Sequence, residues 1–193
     1  MVDWTDSRVP YTGLVALVAF MRLFELVVSR RNVARLKARG AVEVGRPLYP
    51  WMVAVHSGFL VACVAEVWIL DRPLFPRLAA FCLGLMVVAA ALRLWVMAVL
   101  GERWSTRVLI LPETGPVTSG PFRHLRHPNY LAVVGEFAAL PMVHTAWLTA
   151  ALFSTANALV LHRRIRTEEA ALKEAGDYVE AMGDRPRMIP GSR

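Results

Sequence analysis

Three stretches of this chain stay apolar for the length of a membrane crossing: Tyr11–Ser29, Pro50–Leu70 and Phe75–Leu100. An α-helix rises about 1.5 Å per residue, so about 20 residues cross a hydrocarbon core about 30 Å thick. Lipid offers the backbone no hydrogen-bond partners, and a segment of this length satisfies its own as a helix. Composition agrees. Of 193 residues, 56% are hydrophobic and 19% charged, against about 25% charged in soluble domains. That balance excludes disorder and an ordinary soluble domain.

A fourth apolar stretch, Tyr130–His162, is too long for one crossing. Pro141, His144 and Thr145 mark a turn inside it. It reads as a hairpin of two spans, Tyr130–Met142 and Ala146–His162. The fold class is therefore an all-α, multispan membrane bundle of about five spans. Residues 1–100 carry three spans on the lipid and substrate side. Residues 101–193 carry a polar loop, the hairpin and a C-terminal helix, as part of one integrated domain.

The charges orient this bundle. Net charge is +7, and the basic residues flank apolar runs, which favours membrane over nucleic acid as partner. With five alternating spans, the Arg30–Tyr49 loop, the Gly101–Tyr130 loop and the tail fall on one side. They hold 17 of the 22 Lys and Arg. The positive-inside rule puts these segments in the cytoplasm and the N-terminus outside. The start of the chain, with Asp3 and Asp6 before the first span, reads as a retained span rather than a cleaved signal. Cys63 and Cys82 lie inside apolar runs and read as buried small hydrophobes.

Ionisable residues inside spans are costly and mark candidate sites. Arg22 and Glu25, three apart, are expected to pair. Arg93 is expected to snorkel toward the cytoplasm. His56 reads as a core histidine and His144 as part of the outer turn. Glu136 stands out because it shares a helical face with Asn129, seven residues earlier.

Chemistry-bearing residues concentrate in two cytoplasmic pieces. The first is S-G-P-F-R-H-L-R-H-P-N-Y, residues 119–130. Pro128 restricts His127 and suits the first turn of a helix, whose free N–H groups favour an anionic ligand. The second is R-R-I-R-T-E-E, residues 163–169. There Arg164 and Glu168 stand four apart on one helix face, placed either to pair with each other or to face one ligand. No dinucleotide fingerprint, phosphate loop or zinc-protease motif is present. A soluble-type methyltransferase or dehydrogenase fold is thus disfavoured, and no metal is expected.

Taken in order, R-H-P-N-Y, a hairpin, and R-x-x-x-E-E resemble the isoprenylcysteine carboxyl methyltransferase family and its phospholipid methyltransferase relatives. The likeness covers about Leu100 to Pro190. It implies a membrane methyltransferase using S-adenosylmethionine in a cytoplasmic pocket. Transferred to matching positions, the family's cofactor contacts are Thr114, Gly115, Pro116 and Val117, then Phe122, where the family often has Tyr. His127, Pro128, Asn129, Tyr130 and Glu168 complete the set. The substrate-facing arginine matches Arg164, and a further polar contact falls near Arg107. The chain departs from the familiar pattern at Ala181, where a second tyrosine stands, and at Glu136, where the pattern is apolar.

Glu136 bears on the acceptor. A carboxylate needs no base, and Arg164 is suited to clamp it. A phenol, with a pKa near about 10, benefits from one, and Glu136 is the candidate, its alternative being a structural partner for Arg93. The sequence looks most like bacterial members acting on long-chain polyketide phenols and pyrones. The expected reaction is O-methylation of a lipophilic acceptor arriving from the bilayer. A prenylcysteine-type carboxyl acceptor is the alternative. R-H-P-N-Y also resembles NADPH-dependent membrane sterol reductases, although their glutamate follows Tyr by about three residues and Glu136 follows Tyr130 by six. A non-enzymatic membrane binding protein is the remaining alternative.

Overall fold

A computed structural model describes residues 6–111, 114–176 and 178–188. Helices account for most of it: α1 (Arg8–Ala38), α2 (Tyr49–Ile69), α3 (Pro76–Leu100), α4 (Pro128–Met142), α5 (Trp147–Glu174) and a short α6 (Tyr178–Met182). The protein is an all-α membrane bundle. Three of its helices, α1, α2 and α3, are long and apolar enough to cross a bilayer by length and composition. Their outward faces carry bare apolar side chains such as Phe20, Phe24, Val61, Phe81 and Val87. On a soluble protein these would form a large sticky surface; here lipid covers them.

The α4–α5 hairpin lies where the sequence puts it. Nine of the 15 residues of α4 are buried, because α3 and α5 pack along it. Phe137 stacks on Phe59 of α2 at 4.1 Å between centroids, and Cys63, Val67, Val15 and Leu140 close the core around them. Both cysteines are buried and free. The turn between α4 and α5 holds Thr145 at φ 53°, a conformation that costs a β-branched residue. Thr145 Oγ1 is tied down by donating to the Pro73 carbonyl at 2.5 Å. His144 sits in the same turn, 3.0 Å from Ser7 Oγ.

The N-terminus of α5 is capped from another helix. Glu66 of α2 accepts from the backbone N–H groups of Leu148 and Thr149 at 3.2 and 2.6 Å. These are orphan donors of a helix start, and a carboxylate also suits the positive end of the helix. Arg72 neutralises Glu66 at 2.8 Å.

Three features differ from the sequence reading. The first apolar run ends at Ser29, but α1 continues to Ala38. Its polar extension has work to do: Asn32 donates to the carbonyls of Gly101 and Trp104 at 3.2 and 2.8 Å, and Ser29 Oγ accepts from the Thr106 N–H at 2.9 Å. These bonds pin the loop after α3. That loop then forms β2 (Val108–Ile110), which pairs antiparallel with β1 (Val42–Val44) in the register Val42 with Ile110 and Val44 with Val108. This two-stranded ribbon is absent from the sequence reading.

Arg93 does not snorkel. It is buried, with Nη2 donating to Glu136 at 3.0 Å and Nη1 3.5 Å from Glu25. Arg22 reaches Glu25 at 2.6 Å, as the three-residue spacing predicts, and Glu136 at 3.4 Å. Two cations and two anions thus alternate in a closed ring joining α1, α3 and α4. Each charge has two opposite neighbours, which is what permits four of them in an apolar setting.

Candidate active site

Where the bundle meets the polar loop there is a cavity of about 320 Å³. Pockets for drug-sized ligands start at about 300 Å³. Segment 114–117, Phe122, segment 127–130, Glu168 and Arg164 all line it. The sequence selected these eleven residues from three separated segments, and the fold brings every one to the same hollow.

Each segment arrives by a local rule. Gly120, at φ 57°, makes the turn before a single helical turn Gly120–Arg123. A side chain there would meet Val99 at 2.6 Å from its Cβ and leave too little room. His127 ends the loop, and α4 begins at Pro128, as expected for a proline at a helix start. Arg103 Nη2 donates to the Gly115 carbonyl at 3.0 Å and holds the 114–117 segment. Arg107, where the resemblance puts a further polar contact, also lines the cavity; the ribbon strand β2 beside it supplies a wall that the sequence did not announce, and so do Tyr178 and Met182 of α6. Arg107 pairs with Glu43 and lies over the Tyr49 ring at 4.3 Å.

At the inner end, Tyr130 joins the two motifs. Arg164 Nε donates to Tyr130 Oη at 2.8 Å, and Oη donates to Glu168 Oε2. Arg164 and Glu168 therefore meet through the tyrosine hydroxyl. The other guanidinium nitrogens also have partners: Nη2 donates to the Thr106 carbonyl at 2.7 Å and Nη1 contacts Met52 Sδ at 2.9 Å. The His127 ring stacks on Tyr130 at 5.2 Å.

Glu169, next to Glu168, has a different environment. Burial by itself would raise its pKa, but hydrogen bonds from His127 and Arg187 and their charge prevail and hold it at about 2. Glu136 does not line the cavity; it belongs to the buried ring with Arg93 and Arg22. Of the two residues expected to act on the acceptor, the structure brings Arg164 to the cavity and sets Glu136 apart from it.

The cavity also has unmet polar capacity. Asn129 Oδ1 and Trp104 Nε1 are buried, belong to lining residues, and have no partner among the described residues. Buried polar atoms of native proteins are paired as a rule, so two unpartnered ones on lining residues suit a site that takes a polar ligand. A ligand with a carboxylate, an amino group and ribose hydroxyls matches an α4 N-terminus, Asn129 and Glu168.

The family model for the isoprenylcysteine carboxyl methyltransferase (ICMT) family matches residues 82–174. That range contains α3 from Cys82 onward, the whole loop, the hairpin and R-x-x-x-E-E. The chain belongs to the isoprenylcysteine carboxyl methyltransferase family. Family membership makes the protein a membrane methyltransferase, and members of the family generally use S-adenosylmethionine. Among relatives, the uncharacterized protein YpbQ of Bacillus subtilis (strain 168) is 34% identical over 164 residues, covering 83% of this chain and 95% of that one. An uncharacterized protein of Haemophilus influenzae is 29% identical over 158 residues, covering 81% and 91%. Both alignments are longer than the 93 residues of the family match, so the likeness extends beyond the methyltransferase motifs.

Proposed function

We propose that this protein is an S-adenosylmethionine-dependent O-methyltransferase whose acceptor is a lipophilic phenol or pyrone. Bound in the cavity, the cofactor supplies a methyl group on a positively charged sulfur. The protein contributes position and dryness. The α4 N-terminus and Asn129 hold the polar end of the cofactor, Glu168 Oε1 takes a hydroxyl, and Phe122 and Tyr130 cover an aromatic or cationic face.

One observation carries the choice of acceptor: the hydrogen-bond chain Arg164–Tyr130–Glu168 at the inner end of the cavity. A carboxylate acceptor needs a free cation, whereas the guanidinium nitrogens of Arg164 are already engaged. A phenol needs somewhere to put its proton. In this reading the acceptor O–H proton moves to Tyr130 Oη as the tyrosine's own proton moves to the Glu168 carboxylate. The Arg164 charge steadies the oxygen between them. The bound cofactor would supply the methyl group to the acceptor oxygen and leave its own sulfur neutral, and Glu168 returns its proton to the cytoplasm. This assigns the base role to the tyrosine–glutamate pair instead of Glu136. The acceptor reaches the site from the bilayer, and the loop and tail face the cytoplasm, as the charge distribution directs.

Calorimetric titration of the purified protein in lipid nanodiscs with S-adenosylmethionine and, separately, NADPH tests the cofactor. Transfer of a labelled methyl group to a long-chain resorcinol or to a prenylcysteine tests the acceptor. Binding of the methyl donor and labelling of the phenol are expected. NADPH binding alone, or labelling of the carboxylate alone, overturns the reading.

A further inference from the structure

Glu168 and Glu169 are neighbours, but successive helical residues point about 100° apart. Glu168 meets Tyr130 in the cavity. Glu169 is only 3% exposed, and its carboxylate gathers three donors. His127 Nε2 lies 3.1 Å from it, Arg126 Nη1 3.3 Å, and Arg187 donates twice, at 3.0 and 2.7 Å to separate oxygens. A buried anion is tolerated only with such company. Its partners come from the loop before α4 and from the tail beyond α6.

Backbone bonds between those same two segments surround the cluster. The N–H groups of Arg126 and His127 donate to the carbonyls of Pro186 and Arg187, each at 2.9 Å. Arg126 Nε donates to the Arg185 carbonyl at 2.7 Å, and Arg185 Nη1 to the Phe122 carbonyl at 2.5 Å. Met188 packs against Tyr130, Leu161 and Ile165. The tail thus crosses behind Phe122, Arg126, His127 and Tyr130, all of which line the cavity. The loop they sit on has one helical turn of its own, Gly120–Arg123, so its shape depends on what braces it.

We propose that Glu169 is a positioning residue for the cofactor: it buckles tail residues 185–188 to the Arg126–His127 segment, and so fixes the cavity wall. The two glutamates divide the labour. One faces the ligand, and the other holds the wall that faces it. A ligand bound by several groups at once is sensitive to shifts of about 0.5 Å in any of them, so loosening the buckle costs affinity without removing a contact. This rests on the cavity being the cofactor site.

The test uses the full chain in nanodiscs, titrated calorimetrically with S-adenosylmethionine. Wild type comes first: no binding sinks the cofactor reading itself. Glu169→Gln is expected to raise the dissociation constant at least about tenfold, the scale of a charged hydrogen-bond cluster. Arg187→Ala, which removes a half-exposed bidentate partner, should raise it about fivefold. Glu169→Asp should recover part of the loss. The double variant Glu169→Gln/Arg187→Ala should bind no worse than Glu169→Gln, because both act through one buckle. With a phenolic acceptor, KM for the cofactor should rise more than kcat falls, a split that general destabilisation does not produce. Wild-type affinity in both single variants, or fully additive losses in the double, overturns the proposal. Should Glu169→Gln fail to fold, Arg187→Ala on the protein rim decides alone.

Discussion

Nη2 of Arg93 on α3 and the carboxylate of Glu136 on α4 lie 3.0 Å apart, both buried among apolar side chains. This pair tests the alternative base directly. Glu136→Gln removes one anion of a four-charge ring and leaves Arg22 and Arg93 to share Glu25. Removing one partner from a buried pair costs about 3–5 kcal/mol. Thermal unfolding in nanodiscs should therefore shift well down, while turnover per folded molecule changes by less than about threefold. A loss of about 10² in turnover with unchanged stability would return the base role to Glu136.

Tyr130→Phe separates binding from proton transfer. It keeps the ring and loses the hydroxyl between Arg164 and Glu168. Turnover on a phenol should fall by about 10², the lower range for loss of a general base, with cofactor affinity nearly intact. Glu168→Gln should lose both, weakening the cofactor by about 1.5–3 kcal/mol. Equal turnover of Tyr130→Phe and wild type on phenolic lipids removes the tyrosine from the reaction.

Acid should leave the tail buckle in place over a wide range. Glu169 is held at about 2 by His127, Arg187 and their charge against the opposing effect of burial. An ordinary glutamate titrates near about 4.3. A depressed pKa contributes its stability in full above the ordinary value and loses it as pH falls through the folded one. Protection of the Arg126 and His127 amides, which donate to the tail, should persist down to about pH 4 and fade toward about pH 2. Hydrogen exchange corrected for intrinsic rates measures this; loss of protection by pH 5 contradicts the environment described for Glu169.

Orientation is testable by thiol labelling, because Cys63 and Cys82 are buried and give little background. Arg77→Cys should react with an impermeant reagent added to intact cells, and Lys173→Cys only after lysis. The reverse pattern inverts the proposed topology. Ser192, at the far end of the tail, lies outside the described residues.

Acceptor length should govern rate. Each methylene moved from water into the bilayer contributes about 0.8 kcal/mol, close to a fourfold gain in apparent kcat/KM per carbon until partitioning is complete. Assays over a series of alkylresorcinols read this out. A flat profile argues against an acceptor drawn from the bilayer.

Hydropathy made the five long helices legible, yet it misjudged where α1 stops. An apolar run reports the thickness of lipid, and Asn32 shows the helix continuing past it to hold the loop of Gly101 and Trp104. Strands of three residues, such as Val42–Val44, are too short to show alternation. The cavity was readable because Tyr130, Arg164 and Glu168 sit in motifs with fixed spacing. The tail was not, since it engages the loop through the carbonyls of Arg185, Pro186 and Arg187, and backbone carbonyls leave no mark in a sequence. Glu136 drew attention as a lone acid in an apolar helix. The sequence offered Arg93, 43 residues away, as its alternative partner, and the two do pair; only the fold shows that Arg22, from 114 residues away, converges on it as well.

The carboxylate of Glu66 ends α5 from a helix that lies some 80 residues earlier in the chain. During synthesis, the first three helices are therefore made before the hairpin that needs one of them. If the chain were severed in the loop after α3, the later half would emerge with two bare amides at the head of α5, whose own N-cap residue, Ala146, has no polar side chain to cover them. The segment carrying every methyltransferase motif is thus an incomplete part, and co-expression of the two halves should yield folded protein only where they find each other in the same bilayer.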